Sequence, residues 1–204
     1  MYGEEMMYML IEGVDGSGKS TLIKRIVDTW DGEIDHYFDP GISHKPAFEK
    51  WQDIRNFVKT QGMESETETL LFFALRQELM AQVEHSIFHG RDVIQDRGTV
   101  STYVYQGIIK GQVDYIKKLE TVINFRKPDI TLILNAPFDI LTERLEKRAT
   151  NIDKFKSNID FRKRVWVEYQ TYINTNPDVI EIDASGTEYE TYERCLEVID
   201  DYRG

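Results

Sequence analysis

The feature that most constrains this chain is a glycine-rich segment at residues 13–20, which reads Gly-Val-Asp-Gly-Ser-Gly-Lys-Ser. An apolar run over residues 6–11 precedes the segment, and a helical pattern over residues 19–30 follows it. A loop placed between a strand and a helix in this way turns backbone N–H groups and a helix N-terminus toward phosphate oxygens. A plain turn is the alternative interpretation, but both flanks match the phosphate loop. We therefore expect Lys19 to reach the β- and γ-phosphates of a nucleotide, and the Ser20 hydroxyl to hold Mg²⁺.

Length, charge and cysteine content narrow the class of protein. The chain has 204 residues, which suits one domain spanning residues 1–204. Its net charge of −11 argues against duplex nucleic acid as a partner, because such binding needs Lys and Arg to neutralise phosphates. The apolar runs are too short for a membrane span. A secretory signal begins with basic residues, and residues 1–9 contain none. The lone cysteine, Cys195, favours a reducing, cytoplasmic location and a core thiol.

Charge is unevenly distributed along the second half of the chain. Residues 144–164 contain eight Lys or Arg and three acids, whereas residues 181–201 contain eight acids and one Arg. A charge run is usually a solvated helix face, and this interpretation suits the acidic segment. For the basic segment we prefer a lid over anionic phosphates, because a phosphate loop is already present.

Apolar or β-branched runs alternate with longer helical patterns, which predicts βαβ units and an α/β fold with a parallel five-stranded sheet flanked by helices. Ligands of such sheets bind at the carboxyl ends of the strands. The predicted strands are residues 6–11, 34–38, 92–95, 130–134 and 179–182. The predicted helices are residues 19–30, 46–60, 66–89, 101–109, 113–125, 138–148, 160–174 and 188–201.

Asp96 and Arg97 follow the third predicted strand directly. A carboxylate at this edge of the sheet can hold Mg²⁺ directly or through water, and an arginine beside it offers a fork of donors for a second phosphate. A surface salt bridge is the alternative, since an Asp-Arg pair is common. The position at a strand end favours the functional interpretation.

Two further features point to a second nucleotide. Asp15 would repel phosphate if it faced into the loop, so we expect it to turn toward a hydroxyl, such as that of a sugar. Phe72 and Arg76 are four residues apart in a helical pattern and share one face. They could stack a base and bind the phosphate of one nucleotide, or they could be a core ring beside an exposed arginine; spacing alone leaves Phe72 and Phe73 open for the functional role.

Six segments, which occur along the chain in the order found in one protein family, carry a resemblance to that family. The first three segments together are specific for it. The specific segments are Glu-Gly-Val-Asp-Gly-Ser-Gly-Lys-Ser-Thr (12–21), Thr-Glu-Thr-Leu-Leu-Phe-Phe-Ala-Leu-Arg (67–76) and Asp-Arg-Gly-Thr-Val-Ser-Thr-Tyr-Val-Tyr-Gln-Gly (96–107). Residues 127–134, 161–169 and 182–185 support them. Over essentially its whole length the chain resembles the thymidylate kinase family, as a divergent member. The resemblance implies a P-loop nucleoside monophosphate kinase fold with a lid at about residues 147–160.

The resemblance also implies ATP as phosphoryl donor, dTMP as acceptor, Mg²⁺ as cofactor and a homodimer. It assigns catalysis to Lys19, Arg97, Arg148, Lys154 and Asp15, and the metal to Ser20 and Asp96. The implied ATP-binding residues are Gly13, Val14, Asp15, Gly16, Ser17, Gly18, Lys19, Ser20, Thr21, Arg144 and Ser185. The implied dTMP-binding residues are Asp15, Asp39, Phe72, Arg76, Arg97, Ser101, Thr102, Tyr105 and Gln106.

Within the family, small residues after the loop aspartate, here Gly16 and Ser17, resemble the bacterial type, in which a lid arginine contacts the transferring phosphoryl group. Arg148 matches the lid position best, and Lys154 occupies a second position that is usually arginine. The sequence departs from the family at Gly98, where Tyr or His is usual, and at Phe38-Asp39, where Arg-Glu is usual.

These departures keep a related reaction open, namely phosphorylation of another deoxynucleoside monophosphate or of a deoxynucleoside. A P-loop ATPase or switch that acts on a protein partner is an alternative of a different class. The chain lacks the Asn-Lys-x-Asp guanine motif, and the Phe72/Arg76 pair would have no task in such a protein. A catalytically inactive homologue is disfavoured by the intact Lys19, Ser20 and Asp96.

Overall fold

A computed structural model gives the fold and describes residues 6–38, 49–60, 62–148 and 158–204. Two predicted site residues, Asp39 and Lys154, lie outside these ranges, as does most of the predicted lid. Within the described ranges, no helix combines the length and the apolarity that crossing a membrane would require.

Five strands form one sheet in the order β2-β3-β1-β4-β5. The strands are β1 (Tyr8–Gly13), β2 (Ile34–Phe38), β3 (Asp92–Asp96), β4 (Ile130–Asn135) and β5 (Ile180–Asp183). β2 pairs in parallel with β3, and β4 pairs in parallel with β5. All six residues of β1 are buried, as expected for a central strand covered on both faces. The predicted α/β fold with a parallel five-stranded sheet is confirmed.

The helices agree with the predicted patterns to within a few residues, with one exception. The helices are α1 (Lys19–Thr29), α2 (Glu49–Thr60), α3 (Ser65–Phe88), α4 (Thr99–Thr102), α5 (Val113–Ile123), α6 (Phe138–Arg148), α7 (Ile159–Thr175) and α8 (Glu188–Arg203). The exception is the predicted helix over residues 101–109, which is α-helical only at its start and continues as a π-helix over Tyr103–Ile108.

The chain divides into two compact units, and β1 contributes residues to both. The first unit comprises residues 1–10 and 30–130. Its core packs α3 against strands β1 to β3, with the side chains of Tyr8, Tyr37, Leu79, Met80, Val83 and Val93 buried together. A polar contact also ties these elements together, because the Tyr8 hydroxyl donates to Gln95 Oε1 at 2.6 Å.

The second unit comprises residues 11–29 and 131–204. Its α1 and α8 lie side by side, with the Arg25 guanidinium 5.0 Å from the ring centroid of Tyr189 and 4.8 Å from that of Tyr192. Such cation–π contacts hold exposed helices together while their apolar faces supply most of the stability. Cys195 on α8 is fully buried, and burial raises the pKa of its thiol to about 12, so this cysteine is an unreactive core residue.

Candidate active site

The glycine-rich loop follows β1 and requires glycine at two places where the backbone has a positive φ. Gly13 has φ +139°, and a Cβ there would lie 2.5 Å from the carbonyl oxygen of Leu134 in β4. Gly16 has φ +88°, and its Cβ would lie 2.9 Å from the carbonyl oxygen of Leu141 in α6. Any larger residue would push the loop away from these elements. The loop therefore packs closely against α6.

The side chains of the loop differ in their exposure. Lys19 is only 7% exposed, and its Nζ donates to the carbonyls of Gly13 at 2.8 Å and Val14 at 3.2 Å. Asp15 and Ser20 are exposed. Ser17 is buried, and among the described residues its Oγ has no hydrogen-bond partner. A buried hydroxyl and a held ammonium at a helix N-terminus suit the binding of an anion.

Two arginines of α6 lie against this loop. The Arg144 guanidinium donates to three successive carbonyls after β5, those of Ala184 at 2.7 Å, Ser185 at 3.3 Å and Gly186 at 2.8 Å. Arg148 is the exposed last residue of α6. A cavity of about 240 Å³ is lined by loop residues Gly16, Ser17, Gly18 and Thr21, by Arg144 and Arg148, and by the start of α8. We call these residues, together with the rest of 13–21 and Ser185, the loop cluster.

The start of α8 is fixed by a capping box. The Thr187 hydroxyl accepts from the Glu190 backbone N–H at 3.2 Å, and the Glu190 carboxylate accepts from the Thr187 backbone N–H at 2.7 Å. The backbone N–H of Thr187 and its hydroxyl both donate to the Glu190 carboxylate, and these hydrogen bonds hold the pKa of the Glu190 carboxyl below its ordinary value. The capping box and Arg144 together fix the loop at residues 185–187.

In the first unit, Arg76 is the centre of a second group of predicted residues. Its side chain is 2% exposed, and its Nη2 donates to the carbonyl of Gly98 at 3.0 Å and to Thr102 Oγ1 at 2.8 Å. Phe72 and Phe73 are both buried, and Phe73 lies on Phe125 with ring centroids 5.5 Å apart. The hydroxyl of Thr102, which the family resemblance implies at a base edge, accepts a hydrogen bond from Arg76. We call Phe72, Arg76, Arg97, Ser101, Thr102, Tyr105 and Gln106 the arginine cluster.

Arg97 has a left-handed backbone with φ +70°, which is unusual for a residue with a side chain. The Gln95 amide holds this conformation by donating to the Arg97 carbonyl at 2.8 Å. The Arg97 guanidinium then reaches Ser101 Oγ at 3.2 Å. Strained residues persist where surrounding contacts fix them, and they concentrate at functional sites. Asp96, the buried last residue of β3, lies next to this bend.

At Gly98 the structure shows what replaces the bulky side chain that the family resemblance implies. A Cβ at Gly98 would lie 2.9 Å from Leu10 Cδ1, 3.1 Å from Leu10 Cδ2 and 3.5 Å from Gln95 Nε2. The backbone of Gly98 is extended, so glycine is not needed there for its conformation. The Leu10 side chain therefore occupies the direction that a side chain at residue 98 would take.

Gln106 lies on the π-helix and contacts Glu68, which in turn contacts Lys110, and the sequence patterns singled out neither of these two partners. Its Nε2 donates to Glu68 Oε1 at 2.9 Å, and the other oxygen of Glu68 accepts from Lys110 Nζ at 2.5 Å. Tyr105 is half-buried on the same π-helix. A π-helix shifts side chains around the axis and often occurs at functional sites. Glu68 lies within the quoted motif 67–76, but no spacing rule links it to residues 106 and 110.

A second cavity, of about 610 Å³, lies beside Asn135, Trp166, Gln170 and Glu181 in the second unit. Its polar side chains already have partners. The amides of Asn135 and Gln170 bond to each other, and Asn135 also donates to Glu181. The side chains of Asn135, Gln170 and Glu181 therefore bond to one another at the edge of this cavity.

Comparisons with known proteins identify the family of this chain. The family profile described as Thymidylate kinase matches residues 11–194. A thymidylate kinase of Mesoplasma florum is 32% identical over 205 aligned positions, covering 95% of this chain and 94% of the relative. One of Dinoroseobacter shibae is 31% identical, covering 88% and 89%. The crystal structure of thymidylate kinase from Ehrlichia chaffeensis superposes with a TM-score of 0.69 at 25% identity, covering 96% of this chain and 98% of the other. The chain therefore belongs to the thymidylate kinase family.

Proposed function

We propose that this chain transfers the γ-phosphoryl group of ATP to dTMP, giving ADP and dTDP. The observation that carries the proposal is the cavity in which the glycine-rich loop meets Arg144 and Arg148, in a chain that belongs to the thymidylate kinase family. An oxygen of the dTMP phosphate attacks the γ-phosphorus, and the bond from that phosphorus to the β–γ bridging oxygen breaks. The acceptor phosphate is already an adequate nucleophile, so catalysis consists of positioning and charge stabilisation.

The loop cluster binds ATP. Backbone N–H groups of residues 13–18 surround the phosphates, and Lys19 leaves its carbonyl partners in the loop to contact the β- and γ-phosphates. The N–H groups of the Arg144 guanidinium donate hydrogen bonds to the carbonyls of residues 184–186. Its planar face is then the surface against which the adenine ring stacks, beside Ser185. Arg148 supplies positive charge to the transferring group.

The arginine cluster binds dTMP. Arg97 and Arg76 bind its phosphate as charged forks, and Phe72 stacks on the thymine. Ser101, Thr102 and Gln106 line the base, and Tyr105 lies against the sugar. Asp15 of the loop binds the sugar 3′-hydroxyl, and Asp39 contributes near the phosphate.

Mg²⁺ suits the oxygen donors that this chain offers. Ser20 is an exposed hydroxyl on the first turn of α1, and Asp96 is a carboxylate at the end of β3. Hydroxyl, carboxylate and phosphate oxygens are the ligands that Mg²⁺ prefers, and it takes few of them from the protein in kinases. Ser20 and Asp96 would hold the ion, which would neutralise charge on the β- and γ-phosphates.

The test is ADP release measured with dTMP, dUMP, dCMP, dGMP and thymidine as acceptors. We expect turnover with dTMP and dUMP to exceed that with the other acceptors. ATP turnover that no nucleotide acceptor changes would favour an ATPase that acts on a protein partner. A preference for another acceptor would reassign the substrate.

We expect Arg148→Ala to slow the chemical step more than Lys154→Ala does. The guanidinium gives a planar, two-pronged contact to phosphate oxygens, whereas an ammonium acts as a single point of charge. Single-turnover mixing of enzyme, ATP and dTMP measures the step, and we expect a loss of about 10²-fold for Arg148→Ala. Lys147→Ala is a matched control, because Lys147 is exposed and pairs with Glu143 on α6. A larger loss for Lys154→Ala would make Lys154 the catalytic cation of the lid.

The proposal includes a homodimer in the cytoplasm and a single functional domain over residues 1–204. The dimer rests on the family resemblance, and α2 and α3 carry the exposed apolar side chains Phe57 (56%), Leu70 (46%) and Phe88 (86%). Sedimentation velocity tests this assignment, and a monomer at high micromolar concentration would refute it.

A further inference from the structure

We infer that Glu68 selects the base of the acceptor by fixing the orientation of the Gln106 side-chain amide. The inference deepens the proposed function and rests on it for the placement of the pyrimidine beside Gln106. Glu68 acts through Gln106 and is therefore a positioning residue.

The geometry involves three residues from two segments. Glu68 lies on the first turn of α3, with its side chain 14% exposed, and it accepts from Gln106 Nε2 at 2.9 Å and from Lys110 Nζ at 2.5 Å. Gln106 is 8% exposed. Burial matters because a mispaired amide in this position has little water to replace the lost hydrogen bond.

The carboxylate fixes the amide because an ionised carboxylate can only accept hydrogen bonds. Lys110, 37% exposed on its side chain, is an ammonium whose Nζ donates to the same carboxylate. The Gln106 NH₂ group must then face Glu68. Without such a partner, the two ends of a glutamine amide have nearly the same shape, and either can occupy the same space.

Amide orientation distinguishes two classes of pyrimidine. Thymine and uracil carry a hydrogen-bond donor at N3, whereas cytosine carries an acceptor there. With its NH₂ group held by Glu68, Gln106 has its Oε1 available to accept from the N3–H of thymine or uracil. The same oxygen would face the N3 lone pair of cytosine. A flipped amide would reverse the preference, so fixing the amide selects a 4-oxopyrimidine against a 4-aminopyrimidine.

A purely structural role for Glu68 makes a different prediction, and the chain offers a matched control. Glu66 lies on the same first turn of α3, where a negative charge is favourable, and its Oε1 accepts from Gln112 Nε2 at 3.3 Å. It therefore makes the same kind of contact between the same two segments, but it does not contact Gln106. If only helix charge or segment packing mattered, substitution of Glu66 and substitution of Glu68 would change the base preference equally.

The experiment compares Glu68→Gln with Glu66→Gln in the full chain. The readouts are kcat and KM for dTMP, dUMP and dCMP, and calorimetric binding of dTMP and dCMP. We expect Glu68→Gln to reduce the preference for dTMP over dCMP by about tenfold or more, mainly through KM, because the new amide accepts either orientation of Gln106. Glu66→Gln should keep the wild-type preference within about twofold.

Lys110→Met provides a second variant, since it keeps the carboxylate but removes its cation. We expect a smaller reduction of the same preference. An unchanged preference in a folded Glu68→Gln protein, as judged by thermal unfolding, would overturn the inference. If Glu68→Gln does not fold, an unchanged preference in Lys110→Met overturns it. A wild-type enzyme that does not prefer dTMP or dUMP to dCMP would instead contradict the proposed function.

Discussion

Replacing Lys19 with alanine is expected to lower kcat by about 10²- to 10³-fold, while the affinity for dTMP stays within about twofold of the wild-type value. The ammonium is held 2.8 Å from the Gly13 carbonyl, inside the loop that we propose binds the phosphates of ATP. The ammonium stabilises the transition state most, because negative charge shifts within the transferring group at that point. We therefore expect the substitution to slow the chemical step. Rapid-quench turnover and calorimetric titration of dTMP measure the two quantities.

Lys24→Ala is the control, because Lys24 lies on the same helix and is exposed. It should change neither quantity by more than about twofold. Thermal unfolding of Lys19→Ala measures whether the variant loses stability, since the lysine also donates to the Val14 carbonyl within the loop. Equal losses of turnover and of dTMP affinity would contradict the role assigned to Lys19.

Replacing Arg76 with alanine is expected to raise KM for dTMP by roughly 10- to 100-fold, the effect of losing charged hydrogen bonds at a buried site. The variant also removes the hydrogen bonds that Arg76 Nη2 donates to the Thr102 hydroxyl and to the Gly98 carbonyl. Arg76→Lys should give an intermediate value, because it keeps the charge but not the fork. Steady-state kinetics with varied dTMP measures the effect, and an unchanged KM would remove Arg76 from the binding site.

The same variant is expected to change the pH dependence of stability through Glu120. Burial raises the pKa of this carboxyl above 4.5, and the positive charge of Arg76 opposes the shift. Loss of Arg76 raises the pKa further, which penalises the ionised form in the folded protein only. The added loss in unfolding free energy should be absent well below pH 4.5, where the carboxyl is protonated in both states, and complete near neutral pH.

Urea unfolding at acid and neutral pH measures this difference. The exposed Arg126 offers a control, because Arg126→Ala removes a charge from the first unit without disturbing the buried group. A loss of stability for Arg76→Ala that is the same at both pH values would show that packing, and not the charge on Glu120, explains it.

Much of the fold was predictable because short-range patterns specify it. The phosphate loop needs glycine where φ is positive, and apolar runs bounded by polar segments match buried parallel strands. These local requirements predicted the strands to within about two residues. The π-helix at Tyr103–Ile108 was not predictable, because its side-chain spacing is close to that of an α-helix and packing chooses between them.

The candidate site also combines residues that local patterns predict with contacts that they do not. Local patterns singled out Lys19, Arg76 and Arg97, because loops, strand ends and a shared helix face bring charge to known positions, and the family resemblance added Arg144. Neither predicted that Thr102 holds Arg76, that Leu10 occupies the space beside Gly98, or that Glu68 holds Gln106. These contacts join residues 26, 88 and 38 positions apart along the chain.

By itself, then, the sequence determined the reaction class and the phosphate loop, since both depend on residue types at fixed local spacing. Only the tertiary structure decided which hydroxyl accepts from Arg76, which side chain fills the space beside Gly98, and which carboxylate accepts from Gln106. Hydrogen bonds between distant segments depend on how elements pack, and no local pattern encodes that packing.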